Sequence, residues 1–164
     1  MSGSGNVIAP EAPLTLRGVL ITAGDGRLLL PNASVAEVIT YSDPEPVEQA
    51  PPWLLGRVRW QGWRLPLVSF PELVGGSSER STLGAKVAVL RLLGGDPKRS
   101  YFALLAHGFP RLVTVHPAAL ELVPDDGEPT PGVAYRLILD DEPTVIPDLE
   151  EIERLLAATL PDAA

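Results

Sequence analysis

The stretch that decides the fold is Gly56-Arg57-Val58-Arg59-Trp60-Gln61-Gly62-Trp63-Arg64-Leu65-Pro66-Leu67-Val68-Ser69-Phe70. Val58 and Trp60 alternate with arginines, and the same alternation of apolar and other residues resumes after Gln61-Gly62. This pair suits a tight two-residue turn, so the stretch predicts a β-hairpin. Pro66 has no backbone N–H to donate, and the returning strand is therefore expected to have a free edge or a bulge there.

Another hairpin is predicted upstream. The apolar positions from Leu14 to Thr22 are typical of a strand, and the apolar pattern resumes at Leu28-Leu29-Leu30. Between them, Gly24-Asp25-Gly26 supplies residues that tolerate a positive φ.

The segment between these hairpins, residues 34–39, predicts a short helix or a helical turn. Ser34 precedes Glu37 by three residues, which is the spacing of a capping box. Three apolar residues at helical spacing follow the cap: Val35, Val38 and Ile39. Four prolines within residues 44–52 then forbid a regular helix, so the chain is expected to extend.

The second half of the chain predicts more strands and one helix. After the Gly75-Gly76-Ser77-Ser78 loop, six apolar segments bounded mostly by glycine or proline are typical of strands: Lys86–Leu93, Tyr101–Ala106, Arg111–Val115, Ala119–Val123, Val133–Leu139 and Thr144–Ile146. A helix is expected to begin at Asp148, with Glu151 three residues on, and to stop at Pro161. About ten short strands suit one or two small barrels.

Composition narrows the class of protein. The 164 residues are 45% hydrophobic, include no cysteine and carry a formal net charge of −8. A disordered chain and a disulfide-stapled fold are therefore excluded, and nucleic-acid binding is disfavoured because phosphate needs a basic face. No run of 18 apolar residues and no signal peptide is present, which predicts a cytoplasmic protein without membrane insertion.

The ends of the chain differ from its middle. Residues 1–13 contain Gly, Ser, Pro and Ala with little periodicity and are interpreted as a flexible leader. A single domain, made of two small barrel subdomains, is expected over residues 14–160, followed by a tail at 161–164.

Catalytic motifs are missing from the sequence. His107 and His116 lie nine residues apart without a metal-ligand pattern, and no phosphate-binding loop or nucleophile elbow precedes a predicted helix. Asp125-Asp126 and Asp140-Asp141-Glu142 flank turn residues and are interpreted as solvated turns. We therefore expect no enzyme activity, no cofactor and no metal ion.

Three tryptophans, Trp53, Trp60 and Trp63, fall within 11 positions. They indicate either a corner of the core or an exposed aromatic contact surface, and the sequence favours neither over the other.

Taken together, residues 28–73 resemble the CheW family of chemotaxis coupling proteins. The resemblance is carried by Val35-Ala36-Glu37-Val38-Ile39, the proline-bearing loop, Gly56–Gly62 in place of the family's "GvinlRG", and Leu65–Val68 in place of "ivPvv". Weaker similarity extends the match to about residues 14–157.

The resemblance implies a mainly β, CheW-like fold of two five-stranded SH3-like β-barrels side by side with a C-terminal helix. It also implies a non-catalytic adaptor that holds a CheA-type histidine kinase, through its regulatory domain, against the cytoplasmic tip of a methyl-accepting chemoreceptor. Such a protein would be cytoplasmic and recruited to membrane-associated receptor arrays. The positions carried over as receptor- or kinase-binding are Val35, Glu37, Val38, Gly56, Val58, Gln61 and Gly62.

Three departures from the family pattern modify these expectations. Gln61 stands where the family has an arginine, Ser69-Phe70 where "DL" is common, and His107-Gly108-Phe109-Pro110 where "vDxV" is frequent. The Trp60-Gln61-Gly62 turn followed by Pro66-Leu67-Val68-Ser69-Phe70 is similar to the divergent couplers of chemosensory pili systems, which regulate type IV pilus twitching. The alternative is an accessory barrel that binds the kinase or another protein without receptor coupling.

Overall fold

The computed structural model describes residues 16–76, 83–124 and 130–160. Within these residues the chain forms two α-helices, α1 (Phe70–Leu73) and α2 (Leu149–Thr159), and ten strands: β1 (Leu16–Ala23), β2 (Gly26–Pro31), β3 (Val35–Thr40), β4 (Leu54–Trp60), β5 (Trp63–Val68), β6 (Ala85–Arg91), β7 (Tyr101–Val115), β8 (Leu120–Leu122), β9 (Val133–Leu139) and β10 (Glu142–Pro147).

The strands form two groups that share β7. In the first barrel, β3 pairs with β6, β6 with the first half of β7, and the hairpin of β4 and β5 joins β7 through β5. In the second barrel, β1 pairs with β2, β2 with β10, β10 with β9 and β9 with β8. The second half of β7 pairs with β1, so this 15-residue strand connects the barrels.

Each barrel has its own apolar core, and a third cluster fills the space between them. The first barrel buries Val58, Leu65, Leu67, Ala85, Val87, Val89, Ala103 and Leu105. The second barrel buries Leu20, Leu29, Val115, Leu137 and Leu139. The cluster between them includes Ile152 and Leu156, which α2 contributes. The predicted fold, two five-stranded barrels side by side with a C-terminal helix, is thus confirmed.

The hairpin of β4 and β5 forms as predicted. Trp60 pairs with Trp63, and the turn residues Gln61 and Gly62 have φ angles of 47° and 82°. Two positive φ angles define the type I′ turn that matches the twist of the flanking strands. Within the described residues β5 pairs with β7 only through its last two residues, so the strand has a free edge at Pro66.

The helix predicted over residues 34–39 is wrong. Here Asn32–Ser34 form a 3₁₀ turn, and Val35–Thr40 form β3. A register shift in the β3–β6 ladder places Val35 opposite Leu90 and Val38 opposite Ala88. This bulge brings two residues three positions apart onto one face of the strand, which imitates helical spacing, while β-branched side chains favour the sheet.

Smaller differences concern the boundaries of elements. The two segments predicted over residues 101–106 and 111–115 are one strand. Its ladder with β1 shifts register beside Gly108, whose φ is 72°.

Helix α2 begins as predicted, because the Asp148 carboxylate accepts a hydrogen bond from the Glu151 N–H at 3.1 Å.

The predicted leader, the tail with Pro161, and Asp125-Asp126 lie outside the described residues. The domain boundaries therefore stay predictions. In the part of the chain that is described, no helix is long and apolar enough to cross a membrane.

Candidate functional site

A groove of about 420 Å³ lies between the two barrels. The first barrel contributes one wall from β3 and β6, and the second barrel contributes the other from β1 and the second half of β7. The lining residues are Val19, Asn32, Val35, Val38, Ile39, Thr40, Lys86, Phe109, Pro110 and Leu112. We call this surface the inter-barrel groove.

The strand registers explain why the groove is apolar. On β3, the bulge turns both Val35 and Val38 toward the groove, where each remains half-buried. On the facing wall, Val19 pairs with Leu112 of β7. Leu112 is 76% exposed and Phe109 is 79% exposed. Large apolar side chains that remain this accessible beside a concave surface mark an interaction site.

Lys86 is the one ionisable residue among the described residues that line the groove. Its Nζ lies 4.6 Å from the centroid of the Phe109 ring, a cation–π arrangement. The sequence motif His107-Gly108-Phe109-Pro110 places this ring, because β7 changes register there.

The opposite side of β3 contributes to a second surface, the hairpin tip, which comprises Glu37, Trp60, Gln61, Gly62 and Trp63. The Glu37 carboxylate accepts hydrogen bonds from Nε1 of Trp60 at 2.9 Å and from Nε2 of Gln61 at 3.3 Å. Of the predicted site residues, Glu37, Gln61 and Gly62 therefore lie together at the hairpin tip, and apart from Val35 and Val38.

The tryptophans of the hairpin tip close one end of the first barrel. Both Trp60 and Trp63 pack edge-on against Tyr101, with ring centroids 4.9 and 5.4 Å apart. Both remain half-buried and contact the first-barrel core. For Trp60 and Trp63 the two alternatives therefore combine, since one face packs inward while the indole edge of Trp60 reaches the surface. Trp53 instead packs, half-buried, against the cluster between the barrels.

Two of the predicted site residues are buried. Val58 is 5% exposed within the first-barrel core. Gly56 has a φ of 144°, and a Cβ at this position would lie 2.4 Å from the carbonyl oxygen of Glu45. Neither residue offers a side chain to a partner; both shape the hairpin that carries the tip.

The outer face of this hairpin carries a small ion-pair network that the sequence did not indicate. The Glu45 carboxylate accepts a hydrogen bond from Nη2 of Arg64 at 2.9 Å, and Arg59 lies 3.8 Å away. The hydrogen bond from Arg64 lowers the pKa of Glu45, and the positive charges of Arg64, Arg59 and Arg57 lower it further.

Other polar candidates do not assemble into a site. Among the described residues, no group of three or more His, Asp or Glu side chains is placed to hold a metal ion. Asp140 and Asp141 form the turn between β9 and β10, with φ angles of 52° and 64°, and both are exposed. They are the solvated turn that the sequence predicted.

The comparisons with known proteins agree with this geometry. The family model described as "CheW-like domain" matches residues 17–156. The chain belongs to the CheW-like domain family. The CheW resemblance of residues 28–73 is thereby confirmed, and the match covers both barrels.

A solved structure has the same CheW-like fold. It is the scaffolding protein TtCheW from Thermoanaerobacter tengcongensis, with a TM-score of 0.68 at 16% sequence identity over 88% of this chain and 91% of that chain. A search of curated protein sequences gives no match.

Several residues of the two surfaces were missed by the sequence reasoning. Lys86, Phe109 and Leu112 line the inter-barrel groove without having been proposed. The sequence held an indication for Phe109, since residues 107–110 depart from the family pattern. It held none for Lys86, because a single lysine within a strand is common.

Proposed function

We propose that this CheW-like domain is a non-catalytic adaptor that couples a CheA-type histidine kinase to a methyl-accepting chemoreceptor. The observation that carries the proposal is the double use of β3. Val35 and Val38 face the inter-barrel groove, whereas Glu37 belongs to the hairpin tip, where it contacts Trp60. One short strand thus serves two separate surfaces.

The inter-barrel groove is the proposed receptor site. The cytoplasmic tip of the receptor is helical, and an amphipathic helix binds by laying its apolar face into a groove of this kind. Val35 and Val38 form one wall, and Leu112 offers a largely exposed apolar side chain on the other. Burial of these side chains supplies the affinity.

The hairpin tip is the proposed kinase site. Glu37 and Gln61 are exposed, and a tryptophan edge lies beside them. Half-exposed tryptophans ringed by polar groups are typical anchors of protein interfaces. Gly56 and Val58 contribute to this site indirectly, by shaping the hairpin, and Gly62 by forming its turn.

Coupling follows from the connection between the two surfaces. A receptor helix that moves in the groove shifts β3, and β3 carries Glu37 at the hairpin tip. A coupler needs only a difference in contact between two receptor states to favour one kinase arrangement. Interfaces of modest strength become effective when several are engaged together in an array.

We further propose that the protein works in the cytoplasm at membrane-associated receptor arrays, in a pathway that controls type IV pilus twitching. The Trp60-Gln61-Gly62 turn and the following Pro66–Phe70 segment support the pilus assignment, because they resemble the divergent couplers of chemosensory pili systems. Gln61 and residues 107–110 also depart from the pattern of conventional couplers. The net charge of −8 disfavours nucleic acid as a partner.

A second candidate function is an accessory barrel that binds the kinase without coupling it to a receptor. Gln61 is the observation in its favour, because the family's arginine at this position is associated with receptor coupling. Gln61 keeps a hydrogen bond to Glu37 but brings no charge.

The experiment that tests the proposal measures binding of the purified protein to the kinase regulatory domain and to the receptor's cytoplasmic fragment, both from its own organism. Val35→Asp should abolish receptor binding and leave kinase binding intact, because Val35 lies in the groove. Leu93→Asp is the matched control, since Leu93 is 83% exposed and lies outside both surfaces. Kinase binding without any receptor binding by the wild type would favour the accessory barrel, and binding to neither would refute the adaptor role.

A further inference from the structure

The inter-barrel groove contains the Lys86 ammonium group, which has no carboxylate partner among the residues that the structure describes. Within the described residues, Lys86 makes no ion pair, and the Phe109 ring at 4.6 Å is its recorded electrostatic contact. The neighbours of Lys86 in the sheet are Thr40 on β3 and Ala106 on β7. A cation therefore lies in a groove whose other described lining residues are uncharged.

This arrangement limits what can bind. A helix that covers the groove removes Lys86 from water, and a buried cation without a partner is strongly unfavourable. An apolar helix face alone would leave the ammonium unpaired, and a basic residue opposite it would add repulsion. A carboxylate placed opposite Lys86 removes the penalty and forms a charge-assisted hydrogen bond.

We infer that the inter-barrel groove selects a partner helix that carries an aspartate or glutamate within its apolar face, with Lys86 and Phe109 as the specificity-determining residues. The inference rests on the proposed receptor-coupling function, and it adds the chemistry of the receptor helix that this chain accepts. Lys86 is the one cation among the described residues of the groove, and charge complementarity to it identifies the occupant as acidic at that position.

Phe109 has a separate role in this recognition. The register shift at Gly108 holds the ring above the groove, where it is 79% exposed. When a carboxylate engages Lys86, the ring becomes available to pack on the partner's apolar side chains. Exposed aromatic rings at the edge of a groove are frequent anchors of binding energy.

The test compares the only two lysines of the chain, Lys86 and Lys98. Lys98 is exposed and does not line the groove, so Lys98→Glu is a matched control with the same change in net charge. The probe is the cytoplasmic fragment of the receptor from the same organism, together with variants in which each acidic residue on the apolar face of its tip is changed singly to lysine. Affinity is measured by calorimetry.

We expect Lys86→Glu to weaken binding at least about tenfold, and Lys98→Glu to change it less than about twofold. One acid-to-lysine variant of the receptor should restore the affinity of Lys86→Glu. Lys86→Arg should bind like the wild type, whereas Phe109→Ala should weaken binding about tenfold.

The outcomes separate this inference from the proposed function. If the wild type binds the receptor fragment and Lys86→Glu binds it equally well, the inference is overturned and the receptor-coupling function stands. If the wild type binds no receptor fragment, both are overturned. If Lys86→Glu changes self-association in sedimentation experiments while receptor binding is unchanged, the groove serves a second copy of the chain and the inference fails.

Discussion

The Glu37 carboxylate lies 2.9 Å from Nε1 of Trp60 and joins β3 to the end of the neighbouring hairpin. Glu37 is exposed, and Trp60 packs against Tyr101 at the end of the first barrel. The contact therefore fixes a surface carboxylate on a half-buried aromatic pair at the end of the first barrel. It also ties the hairpin tip to the strand whose other residues line the inter-barrel groove.

Glu37→Ala tests the importance of this contact. The substitution removes the acceptor for both Trp60 and Gln61, so kinase affinity should fall about tenfold. The free energy of unfolding should fall by no more than about 1 kcal/mol, because the hydrogen bonds are exposed. Calorimetry with the kinase regulatory domain and urea unfolding measure the two effects. A large loss of stability with unchanged kinase binding would make Glu37 a structural residue.

Gln61→Arg tests the departure from the family pattern. The arginine would meet the Glu37 carboxylate and replace a hydrogen bond from an uncharged amide with an ion pair. Stability should rise by less than about 1 kcal/mol, since exposed ion pairs contribute little. Receptor-dependent control of the kinase should strengthen in a reconstituted complex. Gln61→Lys is the control, because it adds the charge without the planar guanidinium.

Gly56→Ala and Gly62→Ala form a matched pair on the same hairpin. At Gly56 the φ angle is 144° and an added Cβ would lie 2.4 Å from the Glu45 carbonyl oxygen, so alanine should cost at least about 2 kcal/mol. At Gly62 no atom of the described residues lies within 4 Å of an added Cβ, and the φ of 82° alone should cost about 1 kcal/mol. Thermal unfolding measures both. Equal costs would contradict the close approach of the two backbones at Gly56.

The Glu45 ion pair predicts a specific dependence on pH. Because the hydrogen bond from Arg64 lowers the pKa of Glu45 in the folded chain, the pair stabilises the fold above the carboxyl's ordinary pKa. This contribution is lost as the pH falls through the lowered value. NMR titration should show Glu45 ionising below its ordinary range, and Arg64→Leu should return its pKa upward. Arg59→Leu should have a smaller effect, since Arg59 lies farther away.

Much of the fold was predictable because local signals and tertiary structure agree. In the hairpin of β4 and β5, the alternation of apolar and polar residues and the Gln61-Gly62 turn both indicate a two-stranded hairpin. The first barrel is built from that same hairpin. In α2, the Asp148 cap and the spacing of Ile152 and Leu156 agree with burial between the barrels.

The failure at residues 34–39 has a physical cause. A bulge is a property of two paired strands, and its partner β6 lies about fifty residues along the chain. The sequence alone does not show that Val35 and Val38 share a strand face. Their spacing of three residues therefore suggested a helix. The same limit applies to the candidate site, because Lys86 and Phe109 meet only through the pairing of β6 with β7.

The most direct test of the adaptor role measures receptor-dependent kinase activity in a mixture of the kinase, receptor-containing membranes and the purified adaptor. The kinase and membranes that contain the receptor are combined with the wild-type protein, with Val35→Asp, or with no adaptor, and kinase autophosphorylation is measured. We predict that the receptor changes the rate of kinase autophosphorylation only when the wild-type protein is present. With Val35→Asp the rate should equal that of the mixture without adaptor. A receptor effect of equal size in the absence of the protein would contradict the adaptor role.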